Sequence, residues 1–151
     1  MKTTLKNRIQ TLQALVRGSA ALASNLPVCK TLLDEFDEAK GALRLAAHRR
    51  YLLQVLHATR ALDGSLKAFN TYHGILGTNS HSLGQYLWDL NRHGKAGLGA
   101  LARLRVQTFQ KNIVTERNRY MHVPGQYPQS KDEILTLLGE MDACLAEVLA
   151  L

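Results

Sequence analysis

Two side chains able to carry out phosphoryl chemistry without a metal stand close together near the end of the chain. They lie in the stretch from Glu116 to Pro128, which reads E-R-N-R-Y-M-H-V-P-G-Q-Y-P; Arg117 and His122 have four residues between them, and Asn118 directly follows the arginine. A guanidinium keeps its charge at every accessible pH and can stabilise charge developing on a phosphate, while an imidazole titrates near neutrality and can move protons. In an unbroken helix two residues at this spacing are rotated by about 140° and face different ligands. Pro124 changes that expectation: it pushes Val123 out of the α region, so the helix is expected to loosen at about His122 and free its ring to swing back.

The segment Arg117-Asn118-x-x-x-His122 resembles the R-x(4 to 6)-H signature of the HEPN superfamily, small all-helical domains of which many are metal-independent endoribonucleases. A second match, Arg50 to His57 with six residues between, lies in an uninterrupted helical pattern that sets the two roughly 10 Å apart along the axis, and is set aside. The resemblance implies an all-α, four- or five-helix up-and-down bundle over residues 1–151. It implies His122 as general acid or base, Arg117 on the scissile phosphate and Asn118 orienting one or the other, with no cofactor and no metal. It also implies RNA as the substrate, a homodimer whose two motifs share one cleft, and a toxin or defence role with a cognate antitoxin or regulatory protein. Some members carry a tyrosine two residues after the histidine that a nucleotidyltransferase modifies; here that position is Pro124, and the nearest tyrosine is Tyr127. The reading from a different class is a non-catalytic helical module that binds a nucleotide or a partner.

The elements that must position these groups are legible as helical spacing. Leu5, Ile9, Leu12 and Val16 begin a helix expected to reach Ala23; Ser24 and Asn25 then supply a stop and a cap, with Pro27 suited to a first turn. The second helix carries Val28, Leu32, Phe36, Leu43 and Ala46, and Asp34, Glu35, Asp37 and Glu38 form an acidic face read as solvated rather than metal-binding. Leu52, Thr59, Leu66 and His73 form a row at seven-residue intervals, with Val55, Leu62, Phe69 and Leu76 three positions on, which describes a bundle or dimer seam. Gly41 or the stretch at 47–50 marks the turn before this seam, or one long helix runs through with a kink. Asp63-Gly64 is a turn pair by composition, yet the seam crosses it in register and the helix is kept; His73 reads as a packed histidine.

Gly74, Gly77, Thr78, Asn79 and Ser80 form a loop, helix resumes through Leu83, Leu87 and Leu90, and Gly94, Gly97 and Gly99 mark a kink or a short loop. A helix from about Gly99 to Tyr120 then puts Ala102, Val106, Phe109, Ile113, Arg117 and Tyr120 on one face. Arg117 thus continues an apolar stripe, where a charge must be paired, for example with Glu116 or an acid of another helix, or meet an anion. Ser130 and Glu133 form a capping box ahead of a final helix with Ile134, Leu138, Met141, Leu145 and Val148 inward.

Composition frames the function. With 46% apolar and 21% charged residues the chain can build one ordinary core, and Cys29 and Cys144 are too far apart for a metal motif, so buried free thiols are expected. Lys2, Lys6, Arg8 and Arg17 interrupt the N-terminus and no run reaches the ~18 residues of a membrane span, so a cytoplasmic protein without membrane contact is expected. The formal charge of +7 is uneven: from Gly41 to Arg119 twelve Lys or Arg face only Asp63, Asp89 and Glu116. Arg103, Arg105, Lys111 and Arg119 lead into the motif as candidate contacts to an RNA backbone.

Overall fold

The computed structural model describes residues 3–77 and 79–151, so Lys2 and the loop residue Thr78 lie outside the described residues. The described chain is helical throughout, with no strand: α1 (Leu5–Gly18), α2 (Ala20–Ala23), α3 (Leu26–Gly41), a 3₁₀ turn (Ala42–Arg44), α4 (Ala47–Tyr72), α5 (Leu83–Arg92), α6 (Arg103–Phe109), a π-helical turn (Gln110–Thr115), α7 (Glu116–His122) and α8 (Lys131–Leu149). The segments of 103–122 follow one another without a break, so α1, α3, α4, this composite rod and α8 are the long members of an all-α bundle. No helix among the described residues is long and apolar enough to cross a membrane.

Side-chain caps account for most helix starts. Thr4 accepts the Asn7 N–H at 3.1 Å, Asn25 accepts the Val28 N–H at 3.3 Å with Pro27 in the first turn, and Ser130 accepts the Glu133 N–H at 3.2 Å. One expected helix is two: the chain breaks after Gly18 because Ser19 is extended (φ −89, ψ 118) and its hydroxyl accepts the Leu22 N–H at 3.3 Å, capping α2 anew. The turn ahead of α4 follows Gly41, and α4 opens at Ala47.

The central helix α4 runs straight through Asp63-Gly64. The site is tight, since a Cβ at Gly64 would stand 2.7 Å from Leu32 Cδ2 of α3 and force that side chain to shift. Its heptad rows are a bundle seam and not a dimer seam: Val55, Leu62, Leu66 and Phe69 are all at most 3% exposed within the single chain, packed against α3, α5 and α8. His73 is the C-cap residue, half-buried with its ring 4.5 Å from that of Phe69. One contiguous cluster joins this seam to Ile9, Leu12 and Val16 of α1, Phe36 of α3, Leu87 and Leu90 of α5, Val106, Phe109 and Ile113 of the composite rod, and Ile134, Met141 and Leu145 of α8. Cys29 and Cys144 are buried free thiols, and burial raises the Cys144 pKa well above its ordinary value.

The connections are tied down. Asp89 accepts the Gly77 N–H at 3.2 Å and the Ser80 hydroxyl, fixing the loop before α5. The glycines at 94–99 form a loop rather than a kink. His93 Nε2 bonds the Gly99 carbonyl at 2.7 Å, and Gly99 N–H reaches the Leu151 carbonyl at 3.0 Å. The rod therefore starts at Arg103 rather than near Gly99.

Candidate functional site

Arg117 enters the structure as a continuation of a buried stripe. Val106, Phe109, Ile113 and Tyr120 are each at most 7% exposed, and Arg117 is half-buried between the last two. Directly ahead of α7 the rod widens into the π turn, a conformation frequent at functional sites. From that turn Gln110 donates through Nε2 to the Gly84 carbonyl at 2.9 Å, joining the rod to the first turn of α5. Between them and α4 lies a cleft of about 460 Å³, whose walls include Thr59, Arg60 and Asp63 of α4, His81 and Ser82 ahead of α5, Trp88 of α5, and Arg117 and Asn118.

Within this cleft Arg117 lacks the acidic partner expected of a buried charge. Its Nη1 donates to Asn118 Oδ1 at 2.7 Å, its Nε is buried without any partner, and no carboxylate lies within 4 Å among the described residues. Glu116, the neighbour able to neutralise it, is committed to Arg119 at 2.7 Å. The acid across the cleft is Asp63. Burial raises the Asp63 pKa above its ordinary 3.8, outweighing the opposing charges of Arg117 and Lys67 and the Leu83 backbone amide. Asp63 was not identified from sequence, nor was His81 as a neighbour of Arg117.

His122 occupies a different place. The chain is extended at Val123 (φ −99, ψ 116), as Pro124 demands, but the helix stays closed through His122, with Val123 N–H reaching the Arg119 carbonyl at 3.3 Å. The expected loosening falls one residue late, and the ring does not swing back. His122 is exposed, lines no part of the cleft, and leaves the helix about 140° around from Arg117. Arg117 and Asn118 are therefore brought together in one chain, and His122 is not joined to them.

The four candidate backbone contacts divide in two. Arg105 is held by Glu147 of α8 (Nη2 to Oε1 2.6 Å, Nε to Oε1 3.0 Å) and lies over the Phe109 ring. Arg119 bonds Glu116, Gln126 and the Tyr120 hydroxyl, whose pKa is pushed up to about 12, chiefly by burial. That cluster continues through Glu133, which accepts from Tyr120 at 3.2 Å and from the Gln129 N–H at 3.1 Å, and so anchors the turn between α7 and α8. Arg103 and Lys111 are exposed and take part in no ion pair within 4 Å among the described residues.

The features set aside from sequence have structural partners. Arg50 donates to the Leu45 carbonyl, at 3.1 Å from Nη2, and His57 Nδ1 pairs with Glu35 Oε2 at 2.7 Å. Glu35 accordingly leaves the solvated acidic face: it is turned inward and also holds Arg60 at 2.9 Å. On the other side of α4 lies a larger, more apolar groove of about 670 Å³, lined among others by Leu32, Gly64, Ala68, Tyr72 and, at its polar end, Glu35 and Arg60. Among the described residues no cluster of three or more His, Cys, Asp or Glu could hold a metal ion. The chain matches no family model, and no curated protein or solved structure aligns with it.

Proposed function

We propose that this chain is a cytoplasmic, metal-independent endoribonuclease of HEPN type, of the toxin or defence kind, acting as a homodimer. The observation that carries the reading is Arg117: a guanidinium emerging from an apolar stripe into a cleft, steadied by Asn118 and paired with no acid among the described residues. Such a group is placed for an oxyanion that the protein itself does not supply. In the reaction the RNA 2′-oxygen attacks the adjacent phosphorus as the P–O5′ bond breaks. Arg117 stabilises the charge that builds on the phosphate, and His122 takes the 2′-hydroxyl proton or supplies one to the leaving oxygen. Because His122 faces away from Arg117 of its own chain and is exposed, it acts in the cleft of the partner protomer.

The test is cleavage of RNA in excess chelator, with products ending in a 2′,3′-cyclic phosphate and a 5′-hydroxyl. His122→Ala and Arg117→Ala each lower the rate about 10²-fold or more while melting as folded protein. Equal mixtures of the two variants recover about a quarter of wild-type activity, since half the dimers are mixed and each holds one intact cleft. A requirement for magnesium, or full activity in both folded variants, overturns the assignment. The second reading, a nucleotide- or partner-binding module without catalysis, is favoured by the absence of His122 from the Arg117 cleft, and is the outcome if RNA is bound and left uncut.

A further inference from the structure

Thr59 stands out among the helical hydroxyls by being buried without a hydrogen bond. Thr11, Thr31, Ser65, Thr71 and Thr108 each donate to the carbonyl four residues back, at 2.7–3.0 Å. Thr59 does not: its side chain is in the core at 3% exposure, and its Oγ1 is buried with no partner among the described residues. It lines the cleft that Arg117 lines, where Arg117 Nε is also buried and unbonded. Two elements far apart in sequence thus converge on one cavity with polar atoms that the protein leaves unsatisfied, and buried polar groups are rarely left so without a ligand or water. Both groups can donate, which fits an anionic oxygen.

The remaining walls narrow the class of ligand. Asp63 would repel a bare anion but accepts from a hydroxyl, and the half-buried Trp88, whose ring also lies under the Arg92 guanidinium at 5.4 Å, puts an aromatic side chain in the wall for a base. Gln110, bonded to Gly84, keeps the α5 wall against the rod so that the cavity is formed in advance. His81, exposed at the mouth, adds a further donor. We infer that the cleft between α4, α5 and α7 is a nucleotide-binding site complete within one protomer. Arg117 and Thr59 receive the phosphate, Asp63 accepts a ribose hydroxyl and Trp88 stacks on the base. The inference shares with the nuclease reading only the assignment of Arg117 to phosphate; it requires neither His122 nor cleavage.

Trp88 is the single tryptophan of the chain, so its emission reports on this cavity alone. Full-length protein is titrated with adenosine 5′-monophosphate, inorganic phosphate and adenosine, following Trp88 fluorescence and confirming affinity by calorimetry. The expected result is saturable binding of the nucleotide at least ten-fold tighter than of phosphate or adenosine. Thr59→Val weakens it about ten-fold, the scale of one hydrogen bond to a charged group, and Arg117→Met, which keeps the apolar stem, weakens it by more. Thermal melts without ligand establish that each variant is folded. No nucleotide binding by the folded wild type, or unchanged affinity in Thr59→Val, overturns the inference. The two proposals fail separately: RNA cleavage without mononucleotide binding removes this one alone, and mononucleotide binding without cleavage removes the nuclease alone.

Discussion

Replacing Thr59 by valine is expected to make the free protein more stable, an unusual outcome for a polar-to-apolar change in the middle of a long helix. The two side chains have nearly the same shape and both are β-branched, so the helical cost of α4 is unchanged. What differs is the hydroxyl, which folding removes from water at 3% exposure without giving it a partner. An unsatisfied buried donor costs about 1–3 kcal/mol, and valine relieves that cost while adding a buried methyl. For a domain of this size each kcal/mol moves Tm by about 2–4 °C, so Tm is expected to rise by roughly 2–12 °C. The measurement is differential scanning calorimetry in a buffer free of phosphate and sulfate, so that no anion fills the cleft. Thr59→Ser serves as the control: it retains the hydroxyl, loses the methyl and melts lower than wild type. A Tm for Thr59→Val equal to or below wild type would mean that the hydroxyl is already bonded in the free protein, and the case for a ligand at this wall would fall with it.

Further outcomes are expected from other parts of the molecule. Gly139→Ala in α8 stabilises by about 1 kcal/mol because its new Cβ meets only the Arg8 guanidinium at 3.8 Å; Gly64→Ala, whose Cβ falls 2.7 Å from Leu32, shows no such gain in a parallel melt. Asp63 titrates with a folded pKa above 3.8, so its contribution to stability is complete below that value and is lost as pH rises through the folded pKa. The Tm advantage of Asp63→Asn over wild type therefore grows with pH across the acidic range, and a constant difference contradicts it. RNA affinity falls steeply with salt, and Arg103→Ala and Lys111→Ala each lessen the slope of log affinity against log salt by about one. Arg105→Ala, which breaks the pair with Glu147, lowers Tm instead.

Helix order, the caps at Asn25 and Ser130, and the continuity of α4 through Asp63-Gly64 were legible because each depends on residues within a turn or two of one another. The break at Ser19 was not, since Leu5, Ile9, Leu12 and Val16 keep helical spacing up to it and only the competing hydroxyl bond decides the matter. The π turn leaves no mark in periodicity, because Phe109 and Ile113 on either side of it both remain buried. Pro124 correctly signalled an extended Val123, but one residue too late to release His122. The cleft itself was invisible: Thr59 and Asp63 lie more than fifty positions before Arg117, and only the packing of α4 against α7 brings them together. The one trace in the sequence was a threonine in the middle of the seam, among Val55, Leu62, Leu66 and Phe69.

Arg60 stands on the ridge of α4 that separates the polar cleft from the apolar groove and lines both. Its guanidinium rests on Glu35, which also holds His57, and its side chain is 61% exposed and so has freedom to turn. An anion entering the cleft competes with Glu35 for that single charge. A molecule seated in the groove against Glu35 alters the same contest from the other side. Ligands of the two cavities that both engaged Arg60 would therefore be coupled through one side chain, and by reciprocity each would change the other's affinity by the same factor.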